Sequence, residues 1–205
     1  VCSSDQGMVD FESTIMKAAI VIPAYNEENR IGKTLETYHA FFTQKVPHIN
    51  TVFIVVLNGC TDNTLAVVNQ KKEVLGNIHI VTIIEAGKGL AIKTGFQEAL
   101  QNDYQVIGFG DADMATKPEY FYELFDNVQG YDGIIASRYM KESKVFPARP
   151  PIKEWGRRLV YQPLVRLLFG LRFADYQCGA KLFKRKVIEA VTPHLSVRQI
   201  GRAHV

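Results

Sequence analysis

Residues 105–113 read QVIGFGDAD, and this stretch decides how the chain is interpreted. Its apolar first half is typical of a buried strand, in which side chains two residues apart point the same way. Asp111 and Asp113 are therefore predicted to present two carboxylates side by side where the strand leaves the core. Two like charges this close need a cation or positive side chains to neutralise them, and Mg²⁺ or Mn²⁺ binds carboxylate and phosphate oxygens together. The pattern indicates a metal site for a diphosphate-bearing substrate; the alternative is a polar turn, where aspartate is common.

The regions on both sides of this stretch alternate between short apolar runs and longer amphipathic ones. The apolar runs are rich in β-branched residues and bounded by turn residues, as buried strands are. Alternating strands and helices predict an α/β domain with a Rossmann-like, mostly parallel sheet flanked by helices, and such sheets bind ligands at the carboxyl ends of their strands. The small residues Ala91, Gly95 and Ala99 are expected to pack one helix on the sheet. The predicted strands are 18–22, 51–57, 78–84, 106–109 and 133–136, and the predicted helices are 31–42, 64–75, 89–100 and 118–125.

The length and composition of the chain are those of one ordinary globular domain. It has 205 residues, of which 47% are hydrophobic and 22% charged, enough for one substantial core. The net charge of +3 is too small to indicate a nucleic-acid partner. Basic residues nevertheless concentrate between Arg138 and Lys186, where an anionic partner is expected. The 3 cysteines lack metal-ligand spacing and indicate a reducing, cytoplasmic compartment.

Four polar motifs follow the first four predicted strands in order. They are PAYNEE at 23–28, LNGCTDNT at 57–64, GKGLA at 87–91 and DAD at 111–113. Together they resemble the inverting glycosyltransferases of family 2, and the resemblance extends over roughly residues 18–190. It implies the GT-A nucleotide-diphospho-sugar transferase fold. The GKGLA run lacks the third glycine of a dinucleotide fingerprint, which disfavours a Rossmann dehydrogenase.

Two later motifs narrow the resemblance within that family. ASRY at 136–139 and DYQCGAKLF at 175–183 resemble segments of polyprenyl-phosphate (dolichyl-phosphate) hexosyltransferases. Residues 113–117 and the QCG run at 177–179 favour the glucosyltransferase branch, because the mannosyltransferase branch usually carries a polar residue where Ala115 stands. The resemblance implies metal-dependent, inverting transfer of a hexose, glucose from UDP-glucose, onto a polyprenyl or dolichyl phosphate. The enzyme would work peripherally at the cytoplasmic face of the membrane.

The resemblance implies that the nucleoside lies against the ends of the first two strands. Glu27 would accept hydrogen bonds from ribose hydroxyls. The family usually has two aspartates where this chain has Leu57 and Asn58; the Asn58 amide can still bond to a base, whereas Leu57 cannot. The alternative for Asn58 is an ordinary turn. The residues implied in nucleoside binding are Pro23, Ala24, Tyr25, Glu27 and Asn58.

The same resemblance assigns the diphosphate to the ends of the third and fourth strands. Asp111 and Asp113 would hold Mg²⁺ or Mn²⁺ against it, and the metal would offset the charge that develops on the leaving nucleoside diphosphate. Lys88, between two glycines that allow close backbone approach, would neutralise a phosphate. Its alternative is an exposed loop lysine without a role. Asp113 is thereby a predicted catalytic residue as well as a metal ligand.

The acceptor phosphate requires cations to hold it. Arg138 and Arg157 are the predicted catalytic arginines, because guanidinium binds phosphate bidentately. Arg158 is predicted to bind the same substrate. The alternative interpretation of each arginine, taken singly, is a solvated surface residue. Asp175, Gln177 and Lys181 belong to the late motif and would meet the sugar or the diphosphate.

Residues 155–173 carry leucines at helical spacing with arginines between them. This pattern suits an amphipathic helix lying on a membrane surface. A helix that packs on the core with a charged outer face fits the pattern equally well. No run of about 18 apolar residues is present, so a spanning helix is not expected within these residues.

Both ends of the chain are expected to lie outside the catalytic domain, which is placed at residues 16–198. Residues 1–15 are interpreted as an extension before Met16. Residues 200–205 back-translate to ATC GGA AGA GCA CAC GTC, which resembles a common sequencing-library adapter, so 199–205 are interpreted as a non-native tail. The domain would then be truncated at its C-terminus. Whether a membrane anchor follows in the longer protein is left open.

Rival functions come from the same class and from different ones. Within the class they are mannosyl transfer from GDP-mannose and transfer to a saccharide acceptor. A non-catalytic sugar-nucleotide-binding domain is disfavoured by the aspartate pair and Arg138, which a pure binder need not keep. A nucleotidyltransferase would need a glycine- and lysine-rich stretch after the first strand, where PAYNEE stands instead.

Overall fold

The computed structural model describes residues 15–139, 175 and 178–196. The five strands and four helices predicted from the sequence are all confirmed within a few residues, and strand β6 and helix α5 come in addition. The predicted helix at 155–173 and the residues Arg157, Arg158 and Gln177 lie outside the described residues. The strands are β1 (Met16–Ala24), β2 (Ile49–Asn58), β3 (Ile78–Ile83), β4 (Val106–Phe109), β5 (Gly133–Ile135) and β6 (Lys181–Lys184), and the helices are α1 (Ile31–Gln44), α2 (Thr64–Leu75), α3 (Lys88–Leu100), α4 (Pro118–Asn127) and α5 (Arg185–Val191).

The six strands form one sheet in the order β3-β2-β1-β4-β6-β5. Strand β1 pairs in parallel with β2 and with β4, and β2 pairs in parallel with β3. Strand β6 runs antiparallel to both of its neighbours, β4 and β5. The predicted mostly parallel sheet is therefore confirmed, with one reversed strand. Parallel strands end at a common edge, so the motifs that follow β1, β2, β3 and β4 share the carboxyl edge of the sheet.

Helices cover both faces of the central strands. Strand β1 is buried continuously from Ala18 to Ala24, as strands of parallel sheets covered on both sides are. On one face, α1 and α4 contribute a cluster of aromatic rings, among them Tyr38, Phe42 and Phe121, packed with Phe53 of β2. Their ring centroids lie 5.6–6.4 Å apart, within the range of favourable aromatic pairs.

Helix α3 covers the opposite face through its small residues. Ala91, Gly95 and Ala99 are among its buried residues, which confirms the packing role predicted for them. At Gly95 the contact is so close that an added Cβ would lie 2.3 Å from Val21 Cγ1. The backbone of α3 therefore rests on β1 at this point, and this contact fixes the position of the helix and of its first residue, Lys88.

Replacing Gly95 with alanine is expected to lower the free energy of unfolding by about 1–3 kcal/mol, because overpacking forces the helix off the sheet. Urea denaturation of the purified protein measures the effect. The matched control is the double variant Gly95→Ala, Val21→Ala, in which the clashing methyl groups are removed. The two substitutions should couple. The loss in the free energy of unfolding of the double variant should be smaller than the sum of the losses in the two single variants. Strict additivity would show that the close contact is not what limits this position.

Strand β6 carries the late motif into the sheet. Because it runs antiparallel to β4, its first residue, Lys181, pairs with Phe109 at the end of β4. An added Cβ at Gly108 would lie 2.5 Å from the Lys181 backbone oxygen, so β4 and β6 are in close contact. The reversed strand thus delivers the segment 178–181 to the carboxyl edge. Among the helices of the described part, none is long and apolar enough to cross a membrane.

Candidate functional site

The loop after β4 holds the two aspartates, and helix α1 fastens it. Thr34 Oγ1 donates a hydrogen bond of 2.7 Å to the Ala112 backbone oxygen, and the Tyr38 hydroxyl donates one of 2.8 Å to that of Thr116. Burial raises the pKa of the Tyr38 hydroxyl above its usual range, so the group remains a donor. These two bonds attach the aspartate loop to the core at both of its ends.

Both aspartates lie in the turn that follows β4, since the strand itself ends at Phe109. Asp113 Oδ1 accepts a hydrogen bond of 3.0 Å from the Ala115 backbone N–H. Met114, which follows Asp113, adopts a left-handed conformation with φ of 58°, which is uncommon for a residue with a side chain. The conformation of the turn, rather than the alternation of a strand, therefore sets the directions of the two carboxylates.

Asp111 is paired with a lysine from the neighbouring motif. Lys88, the first residue of α3, donates from Nζ to Asp111 Oδ1. The Lys88 side chain is 58% exposed and the Asp111 side chain 22%. The ends of β4 and the start of α3 are thereby joined by an ion pair across the carboxyl edge.

Lys181 lies beside this pair. Its Nζ is 5.5 Å from the centre of the Phe109 ring, within cation–π distance. Burial is the main cause that lowers the pKa of the Lys181 ammonium, and the positive charge of Lys88 also lowers it, whereas Asp111 acts in the opposite direction. The Lys88 and Lys181 ammonium groups therefore lie near Asp111 at the junction of α3, β4 and β6, and the Asp175 carboxylate also acts on Lys181.

Gly179 contacts Asp111 directly. An added Cβ at this glycine would lie 1.8 Å from Asp111 Oδ2 and 2.6 Å from Oδ1. Only a residue without a side chain leaves room for the carboxylate in its present position. The sequence prediction did not single out this residue, although the glycine inside the QCG run at 177–179 was a signal that could have found it.

Arg138 is held by a buried carboxylate. Its Nε and Nη2 donate to the two oxygens of Asp175 at 2.7 and 2.9 Å, and its backbone N–H donates to Oδ2 at 3.2 Å. The Asp175 side chain is 2% exposed and that of Arg138 30%. The side-chain hydrogen bonds that Arg138 donates to Asp175 are the main cause that raises the pKa of Arg138. The pairing fixes the plane of the guanidinium at the end of β5.

The loops after β1 and β2 are joined to each other. The Glu27 backbone N–H donates to Thr64 Oγ1 at 2.8 Å, and Asn26 Oδ1 accepts from the Thr61 backbone N–H at 2.8 Å. The Glu27 carboxylate accepts two hydrogen bonds from Arg30, at 2.7 and 2.9 Å. Tyr25 extends from the same loop with 49% of its surface exposed. The predicted ribose acceptor Glu27 is thus paired with Arg30 in this structure.

Asn58 connects three elements at the same edge. It is buried, its Nδ2 donates to the Ala24 backbone oxygen at 2.8 Å, and its Oδ1 accepts from the Gly87 backbone N–H at 3.2 Å. The side chain predicted to contact a base therefore ties the end of β1 to the start of α3. This arrangement places Lys88, which follows Gly87, relative to the ends of β1 and β2.

The structure thus brings most of the predicted site residues to one edge of the sheet. Asp111, Lys88 and Lys181 form one cluster, Asp113 lies in the same turn, and Arg138 is held against Asp175. The contribution of Thr34, Tyr38 and Gly179 was not predicted from the sequence. The residues at the ends of β1 and β2 are Pro23, Ala24, Tyr25, Glu27 and Asn58.

The carboxylates fit a divalent cation that is shared with a substrate. In the part of the chain that the structure describes, no group of three or more histidine, cysteine, aspartate and glutamate side chains could hold a metal. Asp111 and Asp113 supply carboxylate oxygens, and Lys88 already places a positive charge on Asp111. Mg²⁺ is commonly held by one or two carboxylates together with substrate phosphates and waters. The donor set therefore suits Mg²⁺ or Mn²⁺ bound together with a diphosphate.

A mostly parallel sheet with its polar motifs along the carboxyl edge is the architecture of α/β enzymes that bind their ligands at this edge. The profile of the family described as "Glycosyl transferase family 2" matches residues 19–192. The chain belongs to this family and is a glycosyltransferase, as the four strand-end motifs predicted.

Individual relatives agree with this assignment. The chain is 31% identical to the dolichyl-phosphate beta-glucosyltransferase of Drosophila melanogaster, over 92% of this chain and 60% of that protein. It is also 31% identical to glycosyltransferase AglD of Haloferax volcanii, over 86% of this chain and 28% of that protein. The chain therefore spans less than two thirds of the length of these relatives.

The fold has solved counterparts. Glucosyl-3-phosphoglycerate synthase from Mycobacterium tuberculosis, in complex with Mn²⁺, UDP and glucosyl-3-phosphoglycerate, superposes with a TM-score of 0.59 at 19% identity. The match covers 84% of this chain and 58% of that one. The predicted GT-A fold is thereby confirmed.

Proposed function

We propose that this chain transfers glucose from UDP-glucose to a polyprenyl or dolichyl phosphate, with inversion at the anomeric carbon. The observation that carries the proposal is the cluster in which Lys88 and Lys181 face Asp111 at the carboxyl edge. The similarity to the Drosophila dolichyl-phosphate beta-glucosyltransferase supports both the sugar and the acceptor. A lipid acceptor implies a membrane surface, and we assign the reaction to its cytoplasmic face.

The lysine cluster suits the diphosphate of the donor. Lys88 begins α3, and the first turn of that helix carries no acidic residue, so its ammonium adds to the positive end of the helix dipole. Burial lowers the pKa of the Lys181 ammonium, and an anion next to it would stabilise its charged form. Positive charge is thus concentrated where a leaving diphosphate has to be neutralised.

Asp111 and Asp113 would hold Mg²⁺ or Mn²⁺ against this diphosphate. The metal would supply a further positive charge for the leaving group as the bond between the anomeric carbon and the diphosphate oxygen breaks. The M. tuberculosis neighbour, which contains Mn²⁺ and UDP, supports this choice of cofactor. The hydrogen bonds from Thr34 and Tyr38 would keep the turn in place during the reaction.

The nucleoside would lie on the ends of β1 and β2. Pro23, Ala24 and the exposed Tyr25 would form its contact surface. Glu27 would release Arg30 and accept hydrogen bonds from the ribose hydroxyls instead. Asn58 has its amide bonded to Ala24 and Gly87, so we assign it to positioning this surface in addition to the predicted base contact.

The acceptor phosphate needs no general base. Its second pKa is about 6, so it is largely ionised at neutral pH and can attack the anomeric carbon directly while the diphosphate leaves from the opposite side. Arg138, oriented by Asp175, would hold this phosphate through its remaining guanidinium nitrogen, Nη1. Arg157 and Arg158 remain predictions for the same purpose, and Gln177 remains a prediction for contact with the sugar or the diphosphate.

Transfer assays with the full-length protein in detergent test the proposal. With UDP-glucose, a short polyprenyl phosphate and Mn²⁺, we expect a glucolipid that EDTA abolishes and added Mn²⁺ restores. The matched control acceptor is the corresponding polyprenol, which lacks the phosphate and should not react. A mannolipid from GDP-mannose would contradict the donor, a glucosylated saccharide would contradict the acceptor, and full activity in EDTA would contradict the metal.

A further inference from the structure

We propose that Lys88 occupies the metal-binding oxygen of Asp111 until a diphosphate draws it away, so that the divalent cation and the nucleotide bind cooperatively. The inference rests on the proposed function, since it concerns how that site takes up its donor and metal. Lys88 thereby becomes the residue that couples the binding of the metal to that of the nucleotide, beyond its role as a phosphate contact.

The two oxygens of Asp111 are in different surroundings. Oδ1 accepts the hydrogen bond from Lys88 Nζ. Oδ2 lies against Gly179, where an added Cβ would be 1.8 Å away. A cation that approaches this carboxylate therefore meets the glycine backbone on one side and the lysine on the other. Metal and Lys88 compete for Oδ1.

The charges of the cluster oppose a metal that arrives alone. Lys88 Nζ donates to Asp111 Oδ1, and the Lys181 ammonium lies next to the Phe109 ring at the end of β4. Both lysines therefore add positive charge where the metal would bind. Two ammonium groups repel a divalent cation. In addition, a cation that displaces Lys88 from Asp111 breaks the ion pair between them, and its stabilisation is lost. A diphosphate reverses this balance because it supplies negative charge to both lysines and oxygen ligands to the metal.

Lys88 is the partner that can move. Its side chain is 58% exposed, whereas Asp111 is 22% exposed and lies in the turn that Thr34 and Tyr38 fasten to α1. A lysine side chain has a flexible four-carbon stem. It can therefore turn from the carboxylate to a phosphate while its backbone, at the start of α3, stays in place.

The test measures Mn²⁺ binding without any turnover, by the loss of the free-ion electron paramagnetic resonance signal in the full-length protein. In the wild type, UDP should raise the affinity for Mn²⁺ by at least about tenfold, and Mn²⁺ should raise the affinity for UDP by the same factor. In Lys88→Met, Mn²⁺ alone should bind about three- to fivefold more tightly, as expected from the loss of a partly exposed ion pair, and the effect of UDP should shrink.

Lys186→Met is the matched control. Lys186 pairs with Asp132 at 2.6 Å, and Asp132 precedes β5, at the opposite edge of the sheet from Asp111. This variant removes the same charge from the protein and should bind Mn²⁺ as the wild type does. Lys88→Gln, which keeps a polar side chain, serves as the second variant should Lys88→Met fold poorly.

Two results would overturn the inference: Mn²⁺ binding in the wild type that is independent of UDP, or Lys88 variants that bind Mn²⁺ alone no more tightly than the wild type. The proposed function fails separately. It fails when the coupling is present but no lipid-linked sugar forms in the transfer assay. A glucolipid formed without any coupling would leave the function standing and contradict the role of Lys88.

Discussion

Replacing Asp113 with asparagine is expected to lower kcat for glucosyl transfer by about a thousandfold, because one electrostatic contact to the leaving group is worth about 10²–10³ in rate. Asparagine keeps an oxygen that can accept the hydrogen bond from the Ala115 N–H, so the turn should retain its conformation. The substitution therefore isolates the negative charge that the metal requires. Transfer assays at saturating Mn²⁺ measure the loss, and circular dichroism checks the fold.

The matched control is Asp103→Asn. Asp103 is an exposed aspartate paired with Lys17 at 2.7 Å, near the start of β4 and so at the opposite edge from the site. Its removal should leave kcat unchanged. If Asp113→Asn stayed within tenfold of the wild type, Asp113 would not be a ligand of a catalytic metal.

Replacing Gly179 with alanine is expected to reduce kcat/KM by about a hundredfold, as a displacement of about 1 Å in a catalytic arrangement can. The new methyl group would overlap the Asp111 carboxylate, with 1.8 Å to Oδ2. The segment around Gly179 cannot retreat easily, because the Ala180 backbone oxygen accepts from Ala136 N–H at 3.0 Å and β6 follows at once between β4 and β5. The carboxylate is therefore the group that moves.

Gly130→Ala controls for the effect of an added methyl group. A Cβ at Gly130 would meet nothing within 4 Å, so this variant should match the wild type in transfer and in Mn²⁺ binding. Gly179→Ala should weaken Mn²⁺ binding in the presence of UDP along with kcat/KM. Wild-type kinetics in Gly179→Ala would show that the position of the Asp111 carboxylate is unimportant for the reaction.

The sequence was sufficient for the elements whose apolar pattern is long. Strands β1 and β2 are buried on both faces and helices α1 and α3 carry a periodic buried face, so their patterns were visible locally. Strand β6 was missed because it has four residues and carries lysine at both ends. Its place in the sheet depends on pairing with β4, more than 70 residues earlier in the chain.

The residue types of the site were also predictable, but their partners were not. The base contact predicted for Asn58 stays a prediction, and the bonds of its amide to Ala24 and Gly87, groups that are distant in the sequence, were not foreseen. The pairing of Lys88 with Asp111 spans 23 residues and that of Arg138 with Asp175 spans 37. Such pairings arise from the order of the strands in the sheet. The motifs predict that these side chains lie at one edge of the sheet, but they do not specify which side chains pair.

The anomeric configuration of the lipid-linked product tests the central claim most directly. The full-length protein is incubated with UDP-glucose, a short polyprenyl phosphate and Mn²⁺, and the coupling constant of the anomeric proton is measured by NMR on the purified product. Direct attack by the acceptor phosphate opposite the leaving diphosphate predicts a β-linked glucosyl phosphate from the α-linked donor. An α-linked product, or glucose found on no lipid phosphate at all, would contradict the account.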